Sequence, residues 1–205
     1  MINSDCVSTK VYSKKMITLD DSLLINRGSE RNCYRHPSDT LSCIKVIGQY
    51  TRRTNTRIQR ELKYLKKYKQ PPNKLELIPD FHGKIDTNLG LGYIFQLITD
   101  FDGTISLSLS DYLKENGTND IIYQKIVVIY HAFLKSNAVV SDLHPGNLLL
   151  QRHNPKDFNL IMIDGFGNSD FIKMCDYSAY FQKKKLVRKF QRLLSNLNLP
   201  TTDIQ

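Results

Sequence analysis

The sequence predicts an α+β fold in two lobes, a small antiparallel-sheet N-lobe followed by a reduced helical C-lobe. Two observations carry this. Short strand-like runs separated by turn residues gather before residue 99, and helical apolar stripes dominate after residue 104. A third is length, since 205 residues suffice for one domain with a real core. The chain 1–205 therefore reads as a single domain, with 20–99 as N-lobe, 104–205 as C-lobe and a join near 100–103.

Taken in order, residues 23–25, 33–36 and 41–47 form three strands, parted by turns at Arg27-Gly28-Ser29 and His36-Pro37-Ser38-Asp39. Over 53–68, Ile58, Leu62 and Leu65 recur at spacings of four and three among Lys and Arg, an amphipathic helix that Pro71-Pro72 terminates. Strands 81–85 and 93–98 pair around the turn Asp86-Thr87-Asn88-Leu89-Gly90. Helices follow over 106–115 and 119–136. The second has apolar residues on most faces (Ile122, Ile126, Val127, Ile129, Tyr130, Phe133, Leu134), the pattern of a buried helix. A loop over 139–147, apolar runs at 148–150 and 160–163, and a basic amphipathic helix over about 177–196 complete the chain.

Bulk properties narrow the functional classes. Hydrophobic and charged fractions of 40% and 24% are ordinary for a globular protein and argue against wholesale disorder. The net charge of +9 suits an anionic ligand without choosing one. Cys6, Cys33, Cys43 and Cys175 are scattered, with no Cys-x-x-Cys pair, so neither a disulfide framework nor structural zinc is expected and a reducing, cytoplasmic setting is favoured. The first fifteen residues lack the apolar core of a signal peptide, and no stretch reaches the roughly 20 apolar residues that span a bilayer.

The chemical signal is strongest at Ser141-Asp142-Leu143-His144-Pro145-Gly146-Asn147, followed by the apolar Leu148-Leu149-Leu150. It is similar to the catalytic loop of kinases, where an Asp and an Asn are separated by four residues. The Asp must face an acceptor hydroxyl, the Asn must turn back toward a magnesium ion on the phosphates, and a short rigid loop sets both distances. A second apolar strand delivers Asp164 in Ile163-Asp164-Gly165-Phe166-Gly167, where a magnesium-binding carboxylate belongs. Upstream, Lys45 in Cys43-Ile44-Lys45-Val46 is expected to grip the α- and β-phosphates of ATP, with Glu61 holding the lysine in place. The phosphate-covering loop keeps one glycine, Gly28, and Arg27 or Arg31 is expected to supply charge there. His144 either touches the γ-phosphate or hydrogen-bonds the loop.

With these residues in place, the chain resembles the PhoP-regulatory-network (YrbL-like) family of small bacterial proteins within the protein-kinase-like superfamily. The resemblance runs through Cys33-Tyr34-Arg35-His36-Pro37, Arg60-Glu61-Leu62-Lys63-Tyr64, Ile78-Pro79-Asp80-Phe81-His82-Gly83 and Asp100-Phe101-Asp102-Gly103 to the Asn147 loop and Ile163-Asp164. It implies a minimal two-lobed kinase-like fold in a bacterial cytoplasm, with residues 96–100, among them Gln96, Ile98 and Asp100, lining the adenine. Asp-Leu-His-Pro-Gly-Asn is also similar to the loop of aminoglycoside and choline kinase-like enzymes, which tilts toward a non-protein acceptor. Small type III effector kinases are comparably short, so a secreted effector acting in a host cytoplasm is the alternative setting.

Two segments compete with this reading. Thr99-Asp100-Phe101-Asp102-Gly103-Thr104 matches the first motif of haloacid-dehalogenase-type phosphatases, although half the chain precedes it and its later carboxylates would have to come from Asp164 and Asp170. In the last helix, Lys183, Lys184, Lys185, Arg188, Lys189 and Arg192 alternate with apolar residues. A solvated basic face is favoured, with a docking face for anionic lipid or an acidic protein as the alternative. No nucleic-acid motif accompanies the charge.

The sequence thus leads to an ATP- and Mg2+-dependent phosphotransferase acting on a hydroxyl acceptor, expected on a protein, with a small molecule or sugar as alternative. Asp142, Lys45 and Glu61 are the catalytic candidates. Gly28, Lys45, Gln96, Ile98 and Asp100 are the nucleotide contacts, and Asn147 and Asp164 the metal ligands. A catalytically inactive scaffold is the competing class.

Overall fold

A computed structural model describes residues 16–28, 30–48, 51–72, 74–167 and 178–205. Cys6, Cys175, Asp170 and the expected first residues of the last helix, including Tyr177, lie outside the described residues. The N-terminal half is a five-stranded antiparallel sheet of order β1-β2-β3-β5-β4, from β1 (Leu24–Arg27), β2 (Arg31–His36), β3 (Asp39–Ile47), β4 (Phe81–Thr87) and β5 (Gly90–Gln96). Its central strand, β3, is buried on both faces from Ser42 to Ile47. Ile44 and Val46 pack with Leu19 and Tyr34 on one side, while Cys43 and Ile47 join the main core on the other. Close approach of β3 and β5 needs the glycine at Gly92, because a Cβ there would lie 2.6 Å from the Ile44 side chain.

Helix α1 (Arg52–Tyr68) covers the sheet's core face. Thr51 and Thr54 close a reciprocal capping box at its N-terminus, and Ile58, Leu62, Leu65 and Tyr68 form the buried stripe. Tyr68 also reaches across the molecule, its hydroxyl accepting the Val139 N–H at 2.7 Å. That bond satisfies a buried donor at the entrance of the Asp142 loop.

The second half contains a short β6 (Leu107–Ser108), α2 (Leu109–Asn116), α3 (Asp120–Lys135), the hairpin β7 (Leu148–Asn154) and β8 (Asp157–Met162), and α4 (Ala179–Asn196). Strands β6, β7 and β8 form a three-stranded antiparallel sheet. The pairing of β6 is too short to announce itself in the sequence. Ser108 and Asn119 cap α2 and α3 through side-chain oxygens on the third residue onward. Contrary to the sequence reading, α3 is buried along one face only. Ile122, Ile126, Ile129, Tyr130 and Phe133 are inside, and Ile121 and Val128 are exposed. The cause is that one side alone meets α4, where Phe133 stands edge-on to Phe190 at 6.1 Å between centroids.

One main hydrophobic cluster runs through both halves, from β3, β5 and α1 to α3, β7, β8 and α4. The lobes therefore share a core along their back, and the polar loops are left at the front. Among the described residues, no helix is long and apolar enough to cross a membrane.

Replacement of fully buried Phe133 by Ala should lower the unfolding free energy by about 3–5 kcal/mol. Val128→Ala, on the exposed side of the same helix, should cost less than about 0.5 kcal/mol. Denaturant titrations of both variants check this, and equal losses would mean that α3 buries a different face.

Candidate functional site

The front of the molecule holds a cavity of about 1070 Å³, walled by the β1–β2 turn, by α1, and by the loops that follow Val140 and Ile163. Its floor is built from backbone. The Ser141 N–H and hydroxyl both donate to the Gly165 carbonyl, at 2.8 and 2.9 Å, the Gly167 N–H reaches the Val139 carbonyl at 2.8 Å, and the Ile163 N–H reaches the Asn147 carbonyl at 3.0 Å. These bonds zip the Asp142 loop to the Asp164 loop. Only glycine permits the join, since Gly165 has φ +86° and a Cβ there would sit 2.5 Å from the Asp142 carbonyl oxygen.

Within the first loop, the Asn147 side-chain amide donates to the Asp142 carbonyl at 3.0 Å, which leaves its own oxygen as the remaining acceptor. The Asp142 carboxylate is 60% exposed, facing the cavity. His144 caps the short turn Pro145–Asn147, its Nδ1 accepting the Gly146 N–H at 3.1 Å, and its Nε2 lies 3.9 Å from Asp142. Of the two roles open to His144, the structure displays the loop-bracing one.

At the inner end stands Arg31, the first residue of β2. Its Nη2 donates to Asp164 at 2.6 Å and forms an ion pair with Glu61 at 2.8 Å. The expected pairing of Glu61 with Lys45 is corrected here, because Glu61 is paired with Arg31. Lys45 instead donates to the Ile163 carbonyl at 2.9 Å and lies over the Phe95 ring at 5.0 Å. Geometry explains the substitution. A guanidinium offers several donors in a plane and can serve two carboxylates, whereas the ammonium of Lys45 is drawn to the backbone leading to Asp164. Cys33, directly across the ladder from Lys45, and Cys43 are both free thiols.

One buried cation between two buried carboxylates divides them electrically. Burial pushes the Glu61 carboxyl up, the nearby Asp164 charge pushes it further, and Arg31 and Lys45 only partly compensate, so that it reaches about 7. Burial acts on Asp164 as well, but the charges of Arg31 and Lys45 and its hydrogen bonds prevail and hold its carboxyl well below the usual range. Arg31 stays charged. Its Nη1 and the Glu61 Oε1 are buried without a hydrogen-bond partner.

The remaining expected contacts divide. Gly28 lines the cavity, and its tight turn excludes a side chain, because a Cβ would lie 2.6 Å from the Arg31 carbonyl oxygen. The Gln96 side chain accepts from the Asp80 N–H at 3.3 Å, and the buried Ile98 offers its carbonyl to the Ser106 N–H at 3.1 Å. Asp100 is not among the residues that line this cavity. Its carboxylate is buried and accepts from the Ser106 hydroxyl and from the backbone and side chain of Arg152, at 2.6, 3.0 and 2.5 Å. Asp102 bonds Thr104 and Arg152. The Asp-x-Asp segment is thus an interlocked turn against β7 in which Asp100, the position of a phosphatase nucleophile, is buried and engaged while Asp102 stays exposed. The solvated reading of the last helix fits Lys183, Lys184, Arg188 and Arg192, which are exposed, but not the other two basic residues. Lys185 is buried, and Lys189 donates to the Ser141 carbonyl at 2.6 Å, bracing the Asp142 loop from below.

The donor set fits a magnesium ion shared with phosphates. Among the described residues there is no cluster of three or more His, Cys, Asp or Glu side chains, and none is needed where phosphates and water complete the shell. The Asn147 amide oxygen and an ionised Asp164 are ligands of the right kind. Each Asp164 oxygen carries one hydrogen bond, from Arg31 and from the Gly165 N–H, and keeps a lone pair.

Comparison with known proteins agrees with this architecture. The family model described as PhoP regulatory network protein YrbL matches residues 17–198, and the chain belongs to that family. It is 28% identical over 183 residues to proteins called "Uncharacterized protein YrbL" from Escherichia coli strain K12 and Shigella flexneri, covering 88% of this chain and 87% of each of them. Among solved structures it is similar to the kinase domain of PF14_0431, with a TM-score of 0.56 and 16% identity, over 87% of this chain and 63% of that one. The fold is that of a minimal kinase.

The divided carboxylates set a pH dependence. Between the usual 4.5 of a Glu carboxyl and about 7, the folded protein keeps a Glu61 proton that the unfolded chain has released, so this group's contribution to stability is lost as pH rises. Asp164 acts in the opposite sense, its contribution being lost as pH falls below the usual 3.8. Urea midpoints at about pH 5 and about pH 7.5 should fall with rising pH by more in the wild type than in Glu61→Gln. Equal slopes in the two proteins would remove Glu61 as the responsible group.

Proposed function

We propose that this YrbL-family chain is an ATP- and Mg2+-dependent phosphotransferase that moves the γ-phosphoryl group to a hydroxyl. The observation that supports this most directly is the pair of zipped loops. Asn147 is bonded to the Asp142 backbone at 3.0 Å, and Gly165 carries Asp164 against the same loop. Positioning is most of what phosphoryl transfer asks of a protein.

In this reading Asp142 orients the acceptor hydroxyl and takes its proton. The new O–P bond forms as the bond from γ-phosphorus to the bridging oxygen breaks, and ADP leaves with that electron pair. Asn147 and Asp164 hold magnesium, which when bound neutralises phosphate charge. Arg31 keeps Asp164 ionised, as a metal ligand must be. Lys45, already aimed along the backbone toward Asp164, serves the α- and β-phosphates. His144 steadies Asp142, and Lys189 fixes the carbonyl immediately before it.

A nucleotide-binding scaffold without transfer is the second reading. It is favoured by the Arg31–Asp164 ion pair, which sets a protein cation where phosphate-bound metal is expected. The two readings separate at Asp142, which a scaffold does not need.

With γ-labelled ATP, magnesium and a cell lysate, the wild type should label an acceptor. Asp142→Ala should lower that transfer by about 10²–10⁴-fold while keeping the nucleotide-induced rise in melting temperature. Undiminished transfer by the variant would remove Asp142 as the base. A thermal shift without any labelling, equal in both proteins, would favour the scaffold.

A further inference from the structure

The outer wall of the cavity is made by one face of α1. Residues 52, 53, 56, 57 and 60 all line it, and at about 100° per residue they fall within an arc of about 140°. Four of these five are arginines, the fifth is Thr56, and the opposite side of the helix carries the buried Ile58, Leu62 and Leu65. The first turn of α1 contains Arg52 and Arg53 and no carboxylate, the reverse of what the positive end of a helix prefers. Arg57 is paired with Glu30, but Arg52 and Arg53 are exposed and have no ion pair among the described residues.

A second observation comes from the inner wall. Arg31 is 8% exposed, lines the same cavity, and has an Nη1 without a hydrogen-bond partner. Asp142 and His144 form the floor between the two walls. From below, Lys189 meets the Asp142 loop, and burial together with the charges of Lys185, Arg188 and Arg192 lowers its proton affinity, with Asp142 opposing. A hydroxyl presented to Asp142 thus shares the cavity with the arginines of α1 on its outer side and with Arg31, paired to Glu61 and Asp164, on its inner side.

Resting on the phosphotransferase reading above, we infer that the acceptor is a small hydroxyl compound that already carries a phosphate, such as a sugar phosphate, and that Arg52 and Arg53 bind that phosphate while Asp142 faces the hydroxyl. Guanidinium forks match a phosphate with paired donors. The concave cavity of about 1070 Å³ suits a nucleotide beside a small molecule. The transfer itself is unchanged, with the acceptor's free hydroxyl forming the new O–P bond and ADP departing.

The test is calorimetric titration of inorganic phosphate, at ionic strength held constant with chloride, into the full chain with and without saturating AMP-PNP and Mg2+. Wild type is compared with the double variant Arg52→Gln/Arg53→Gln, both exposed positions that the core does not use. Saturable phosphate binding is expected with nucleotide present, weakened about tenfold or more in the double variant, while AMP-PNP affinity changes less than about twofold. Glucose 6-phosphate should bind at the same site and glucose should not. Phosphate that fails to bind, that binds both proteins equally, or that is displaced by AMP-PNP overturns the inference. So does an intact mass showing that MgATP phosphorylates this chain itself with loss of phosphate binding, because the arginines would then serve a residue of the chain. The phosphotransferase reading fails by a different sign: AMP-PNP and Mg2+ leave the melting temperature unmoved, whatever phosphate alone does.

Discussion

The buried guanidinium of Arg31 joins a carboxylate on α1 to a carboxylate at the end of the β8 run, tying sheet, helix and second lobe at one point. Two buried carboxylates cannot both be charged cheaply beside a single cation. The asymmetry follows from that constraint. Asp164, which meets Arg31 at the shorter distance and also accepts the Gly165 N–H, keeps its charge, and Glu61 sits near neutrality. The arrangement places an ionised carboxylate at the rear of the cavity and couples its state to the position of α1.

Packing carries the same coupling by a second route. Phe166, two residues after Asp164, lies between Tyr68 of α1 and Phe133 of α3, at centroid distances of 6.3 and 6.2 Å. Tyr68 in turn holds the Val139 N–H at the start of the Asp142 loop. A shift of α1 would therefore move a hydrogen bond, an aromatic contact and an ion pair together. Cores respond to such strain in discrete rearrangements, not in gradual deformation.

Charge outside this knot is sorted by position. Carboxylates near the cavity are either paired or placed at Asp142, while Arg52 and Arg53, which have no ion pair among the described residues, stand at the outer wall. The basic last helix is part of the same pattern, since Lys189 is spent on the Asp142 loop and Lys185 is buried. Its remaining lysines face outward. The Asp100–Arg152 pair, by contrast, is a structural lock between the join and β7, and it removes the carboxylate that most resembled a phosphatase nucleophile.

By itself the sequence determined the features whose causes are local. The spacing of Asp142 and Asn147 dictates a short loop that holds both, the apolar run before Asp164 dictates a strand leading to it, and the apolar run around Lys45 between turn residues dictates a strand. The fold class follows from the same patterns. Only the tertiary structure decided which cation Glu61 holds, because Arg31 and Glu61 meet through strand register and helix docking, neither of which any short window encodes. A signal was present: Arg31 and Cys33 alternate on one face of β2, and Cys33 pairs directly with Lys45, so Arg31 had to face the cleft side. Lys189 carried no such signal. A lysine on the polar side of an amphipathic helix looks solvated until the helix is packed, and here the packing set it against the loop that bears Asp142.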